Sequence, residues 1–146
     1  MTTFLLDVNV LIAPIDPAHV GHEAAHRWFE AQGRESWATC PLTENGVIRI
    51  VSHPNYPGAP GSPATVAAIV AEIRTLAGYI FWPDDISLVE AEHVETKRIL
   101  TSGQVTDSNL LALEVAHDGH LATFDRRIST KAVRGGKAAL HLVSGQ

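Results

Sequence analysis

Short apolar runs without helical period alternate along the chain with longer stretches in which apolar residues recur every three or four positions, a pattern that predicts strands and helices in succession. Phe4-Leu5-Leu6 is a buried-strand run ending at Asp7, and apolar residues continue through Val8, Val10, Leu11 and Ile12 until Pro14, Asp16 and Pro17 break them. From His19 to Gln32, Ala25, Trp28 and Phe29 share one helical face, and Gly33 is a stop signal. Trp37-Ala38-Thr39-Cys40 reads as a second strand, followed by a helix from Leu42 to Val51 that turns Val47, Ile48 and Val51 inward and carries Glu44 in its first turn.

A Pro- and Gly-rich surface loop follows from Pro54 to Pro63, and Ser62-Pro63 then opens a helix over Ala64 to Ala77 that Gly78 closes. Tyr79 to Trp82 is a third strand candidate, and Val89 to Leu100 holds one or two short helices. Thr106 is placed as N-cap of a helix from Asp107 to about His117, whose body of Leu110, Leu111, Leu113 and Val115 is almost wholly apolar. His120 to Phe124 forms a strand ending at Asp125, and Ala139 to Val143 a last one. Alternating strands and helices predict the α/β class, a sandwich around a mostly parallel sheet.

Composition narrows this picture. The 146 residues, 45% hydrophobic and 18% charged, suit one compact domain spanning 1-146 and exclude the disordered and fibrous classes. Cys40 is the sole cysteine, which excludes an internal disulfide and a multi-cysteine metal site and fits a small core residue in a reducing cytoplasm. Met1 to Leu6 has no leader-like pattern, and no run is long enough to cross a membrane. The net charge of -5 argues against a polyanionic partner, yet no acidic residue follows Asp125 while Arg126, Arg127, Lys131, Arg134 and Lys137 do. A basic surface beside an acidic pocket and a solvated charged segment are both open readings.

The candidate chemistry lies in four acids. In an open parallel sheet, strand carboxyl ends and the helix starts that follow them converge on one edge. Asp7 and Asp125 end strands, and Glu44 and Asp107 begin helices. Carboxylates brought together repel one another and are stabilised by a divalent cation, and their hard oxygens favour Mg²⁺ or Mn²⁺ over zinc or copper. Metal-assisted hydrolysis of a phosphodiester follows from that donor set. Singly, Glu44 and Asp107 suit favourable charges in a first helical turn, and Asp125 suits a turn residue. Asp7, enclosed by apolar residues, requires a partner.

Rival motifs are weaker. His22-Glu23-Ala24-Ala25-His26 spells the zinc-protease signature on a helix, but no third ligand stands at a recognised spacing, His53 included, and both histidines flank the apolar face of Ala25, Trp28 and Phe29. A phosphatase with Asp7 as nucleophile wants a second aspartate where Asn9 stands. Asp84 and Asp85, after Pro83, read as turn residues, and the three tryptophans as packing.

The segments Leu5-Leu6-Asp7-Val8-Asn9-Val10-Leu11, Leu42-Thr43-Glu44, Val105-Thr106-Asp107-Ser108-Asn109-Leu110-Leu111-Ala112-Leu113 and Leu121-Ala122-Thr123-Phe124-Asp125 resemble, in order and spacing, the four acidic motifs of PIN-domain proteins. The resemblance covers essentially the whole chain and is strongest to VapC-type toxins of bacterial toxin-antitoxin pairs. It implies a PIN-like three-layer sandwich and an endoribonuclease using Mg²⁺ or Mn²⁺. By motif position it makes Asp7 and Asp107 principal metal ligands. Glu44 would complete the site or position the water, and Asp125 would serve a second ion or its water. Asn9, Thr43, Thr106 and Thr123 would orient the acids. It further implies an RNA substrate, a homodimer and a cognate antitoxin that blocks the pocket. Ser108-Asn109 departs from the apolar or aromatic pair common in relatives. A PIN-like module that binds RNA or protein without cutting is the non-enzymatic alternative.

Overall fold

The computed structural model describes residues 2–90 and 92–143. Five short strands, β1 (Phe4–Leu6), β2 (Trp37–Thr39), β3 (Tyr79–Phe81), β4 (His120–Thr123) and β5 (Leu140–Leu142), form one sheet in the order β3-β2-β1-β4-β5. Every pairing is parallel, so all the carboxyl ends open on one edge. Phe4 pairs with Trp37 on one side and His120 on the other, which leaves β1 central and its three residues buried.

The alternation of side chains along β1 divides the core into the two halves of a three-layer sandwich. Phe4 and Leu6 join Val10, Leu11, Trp28, Val47, Val51, Val66 and Val70, contributed by α1 (Val8–Ile12), α2 (His22–Trp28), α3 (Pro41–Val51) and α4 (Pro63–Ile73). Leu5 points the other way, toward Leu110, Leu111 and Leu113 of α5 (Val105–Ala116) and toward Ile128 and Val133. Each of those fully buried leucines contributes about 1.5–3 kcal/mol, which fixes α5, and with it Asp107, against the sheet.

Several boundaries depart from the sequence reading. The segment after Asp7 is a separate short helix, α1, because the Asp7 side chain accepts the Val8 N–H and caps it. The helix expected from His19 begins only at His22 and ends in a π-helical turn, Phe29–Gly33. Thr106 is not an N-cap. A 3₁₀ turn at Ser102–Gln104 runs straight into α5, so the flanking residue is Gln104, already near-helical at φ -89° and ψ -6°. Val89 to Leu100 holds, among its described residues, one short helix, of the 3₁₀ kind, at Thr96–Arg98, and an antiparallel bridge from Val94 to Val133. A four-residue helix, α6 (Gly136–Ala139), precedes β5. α4 stops at Ile73, and Gly78 turns the chain into β3 at φ +86°, where a Cβ would stand 2.3 Å from the Arg34 carbonyl oxygen.

Candidate active site

Asp7 stands where β1 gives way to α1. Its Oδ1 accepts the Val8 N–H at 2.8 Å and its Oδ2 accepts the Thr123 hydroxyl at 2.7 Å. Thr123, at the carboxyl end of β4, also accepts the Asp125 N–H at 3.1 Å through the same oxygen. Asp125 Oδ1 in turn accepts the Arg127 N–H at 2.8 Å, forming a turn that fixes the carboxylate beyond the strand. Asn9 Oδ1 accepts the Phe124 N–H, tying α1 to the end of β4. These bonds satisfy the partner that an aspartate enclosed by apolar residues requires.

Asp107, in the first turn of α5, completes a trio. Asp7, Asp107 and Asp125 line one open pocket with Val8, Asn9, Ile12, His19, Ile50 and Tyr56. Burial raises the Asp7 carboxyl above its ordinary range against the lowering effect of its Thr123 and Val8 hydrogen bonds, and the Asp125 charge adds to the rise. Asp107 is pushed up to about 6 by burial and then by the charges of Asp7 and Asp125. Burial and neighbouring negative charge disfavour the ionised carboxyls of Asp7 and Asp107, as in a pocket suited to positive charge.

Glu44 does not join them. Its Oε2 accepts the Thr39 hydroxyl at 2.6 Å and a longer bond from the Tyr79 hydroxyl, and it pairs with Arg74 at 3.2 Å. Helix geometry explains the separation. Gly46 is the α3 residue that abuts Val8, and Ile50, one turn on, lines the acid pocket. Glu44, six residues before Ile50, lies about 120° round the helix from it. Thr43 orients no acid either: its hydroxyl accepts the Cys40 N–H and donates to the Cys40 carbonyl at the start of α3. Thr106 is exposed in the first turn of α5. Thr123 bonds both Asp7 and Asp125, and the Asn9 side chain reaches, among the described residues, only the Phe124 N–H beside them.

His19 and Tyr56 line the pocket without having been singled out in the sequence, since each sits in irregular chain where no periodicity points inward. The zinc-protease signature is placed elsewhere. His22 Nδ1 is bonded to the Ala13 carbonyl, Glu23 is exposed and pairs with Arg27, and His26 borders an apolar cavity with Trp28, Phe29 and Leu76. Asp84 caps the Leu42 N–H and Asp85 pairs with His117, both structural positions. Cys40 is buried, its thiol pushed up to about 11 by burial.

Among the described residues no three acidic, histidine or cysteine side chains stand close enough to enclose an ion by themselves. The donor set nonetheless fits Mg²⁺ or Mn²⁺. All three groups are hard carboxylates in an open pocket, Asp7 and Asp107 with raised proton affinity, and Mg²⁺ needs only one or two carboxylates with water completing its shell.

Among the described residues no helix is long and apolar enough to cross a membrane. Residues 4–133 match the model of the PIN domain. The chain is 42% identical over 131 residues to Ribonuclease VapC44 of Mycobacterium tuberculosis, covering 90% of this chain and 92% of the relative. It is 41% identical to Ribonuclease VapC39 (91% and 96% covered) and 36% identical to Ribonuclease VapC38 (96% and 97% covered), both of the same organism. The crystal structure of PAE2754 from Pyrobaculum aerophilum superposes with a TM-score of 0.55 over 95% of this chain and 83% of that one, at 20% identity, a likeness of fold. A parallel five-stranded sandwich with three aspartates at its carboxyl edge, matched along nearly its full length by these relatives, makes the chain a PIN-domain protein of the VapC ribonuclease family.

Proposed function

We propose that this protein is a Mg²⁺- or Mn²⁺-dependent endoribonuclease, the toxin of a type II toxin-antitoxin pair, acting from the pocket of Asp7, Asp107 and Asp125. The observation that carries the reading is the convergence of these three aspartates, with the charges of Asp7 and Asp125 raising the proton affinity of Asp107, at the one edge where the strands of the sheet end. Together they would hold the divalent ion. The chemistry such an ion supplies is Lewis-acid activation of water and neutralisation of charge at a phosphodiester.

The protein's own part is positional. Val8 N–H and Thr123 fix Asp7, Arg127 N–H fixes Asp125, and the buried leucines of α5 hold Asp107 in place. Glu44, bonded to Thr39, Tyr79 and Arg74, braces α3 and α4 from outside the pocket. Arg126 and Arg127, exposed directly after Asp125, offer the cations that draw an RNA backbone toward an otherwise acidic pocket. A cognate antitoxin that covers the pocket, a homodimeric assembly and a cytoplasmic site of action complete the proposal.

The test is cleavage of a fluorogenic single-stranded RNA and of total tRNA by purified protein in Mg²⁺ or Mn²⁺, with EDTA and Asp7→Asn as controls. Cleavage that needs the ion and disappears in the variant supports the proposal. Absence of cleavage on every RNA, together with absence of ion binding by calorimetry, overturns it.

A further inference from the structure

A pocket of three carboxylates must admit a phosphodiester, itself anionic, so its wall needs hydrogen-bond donors as well as acceptors. The Tyr56 hydroxyl is already committed, donating to Asp16 Oδ2 at 2.5 Å. His19 is differently placed. Its ring forms part of the same pocket wall as Asp7, Asp107 and Asp125. Its Nδ1 accepts the Gly21 N–H at 2.9 Å, which puts the ring proton on Nε2 and leaves that N–H free of this bond. The ring is also stacked on Phe124, the residue before Asp125, with centroids 6.2 Å apart and planes inclined by 29°. Gly21 makes this possible, because a Cβ there would stand 2.8 Å from the Phe124 ring.

Resting on the nuclease reading, we infer that His19 is a substrate-binding residue that donates Nε2–H to a non-bridging oxygen of the RNA phosphate seated in the pocket. The same geometry separates this role from general acid catalysis. With Nδ1 occupied as an acceptor, giving up the Nε2 proton would leave an imidazole bearing neither proton. The ring therefore orients the phosphate through a hydrogen bond, and no proton is transferred. Asp16, held by Tyr56 and the Ala18 N–H, anchors the loop from which His19 projects.

The experiment compares wild type with His19→Phe, which keeps a ring on Phe124 but has no donor, and His19→Gln, which restores a side-chain N–H. RNA affinity is measured in EDTA by fluorescence anisotropy, and kcat and KM are measured in Mn²⁺ from pH 6 to 9. His19→Phe is expected to lose about tenfold or more in both RNA affinity and kcat/KM, the worth of one hydrogen bond to a charged group. His19→Gln is expected to stay within about threefold of wild type with an unchanged pH profile. Wild-type affinity and cleavage in His19→Phe would overturn the assignment. So would a His19→Gln variant as impaired as His19→Phe that also loses a limb of the pH profile, since that pattern indicates proton transfer. If wild type itself cleaves no RNA and binds no Mn²⁺, the nuclease reading falls. A wild type that cleaves while His19→Phe is indistinguishable from it removes only the role of His19.

Discussion

Thr123 donates its hydroxyl hydrogen to Asp7 Oδ2 at 2.7 Å while accepting the Asp125 N–H at 3.1 Å, so a single oxygen sets the spacing of two of the three acids. Removing it with Thr123→Val withdraws a hydrogen bond to a charged group, worth about 1.5–3 kcal/mol. That bond lowers the Asp7 pKa, so its loss moves the carboxyl further upward. Ribonuclease activity at pH 7 should fall at least tenfold or so and its acid limb should shift to higher pH. Thr123→Ser should restore both. A Thr123→Val enzyme with an unshifted pH profile would show that the hydroxyl does not tune Asp7.

Asp107 gives a second pH signature. Its carboxyl is pushed up to about 6 by burial and by the charges of Asp7 and Asp125, so in the metal-free protein the ionised form able to hold an ion is lost, and Mn²⁺ affinity falls, as pH drops through about 6. The stability effect has the opposite slope. Because the folded pKa exceeds the unfolded one, the native state holds the proton more tightly, and stability declines as pH rises from near 4 toward 6. In EDTA at pH 7, Asp107→Asn should therefore melt above wild type, and the difference should vanish near pH 4. Adding Mn²⁺ should raise the melting temperature of wild type and leave that of the variant nearly unchanged. The measurement is differential scanning fluorimetry across pH with and without the ion.

Asp7 and Asp125 were legible in the sequence because each follows an apolar run whose burial is dictated by hydrophobicity alone, and strand ends in a parallel sheet share an edge. Asp107 was legible through the leucine-rich helix it begins, even though the cap assigned to Thr106 was wrong. The 3₁₀ turn that feeds α5 is set by tertiary context that local propensity does not reveal. Glu44 is the instructive case. Motif order groups it with the other acids, whereas in the structure its carboxylate takes Thr39, Tyr79 and Arg74 as partners, contacts between α3, β2, β3 and the end of α4 that motif order does not reveal. His19 was invisible because its role depends on a hydrogen bond within an irregular loop.

The position of Glu44 yields a sharp contrast between variants. If it braces α3 through Thr39, Tyr79 and Arg74 without binding the ion, Glu44→Gln keeps most of those hydrogen bonds and should retain at least about half the wild-type kcat, whereas Asp7→Asn should lose about a hundredfold or more. Calorimetric titration with Mn²⁺ should give Glu44→Gln wild-type affinity. Arg74→Ala should lower thermal stability modestly, since the Arg74–Glu44 pair is partly exposed and its guanidinium also covers the Tyr79 and Phe81 rings. Loss of ion affinity in Glu44→Gln would return this residue to the site.

Glu114 presents the largest unresolved electrostatic cost in the core. It is fully buried on α5, neither carboxyl oxygen has a hydrogen-bond partner among the described residues, and burial pushes its pKa up to about 9. The side chain is therefore neutral at pH 7. Since its folded pKa lies above the unfolded value near 4.5, its contribution is fully present below pH 4.5 and is lost as pH rises toward 9, with a slope of about 1.4 kcal/mol per pH unit. By pH 7 the accumulated loss is about 3 kcal/mol. Glu114→Gln removes the titration, so its stability should be nearly flat over that range, and Glu114→Met, which also removes the orphaned polar atoms, should be more stable than wild type at pH 8. Urea unfolding at pH 5 and pH 8 measures both. A wild-type protein equally stable at the two values would mean that the Glu114 carboxyl finds a partner, such as an ordered water, that relieves its burial.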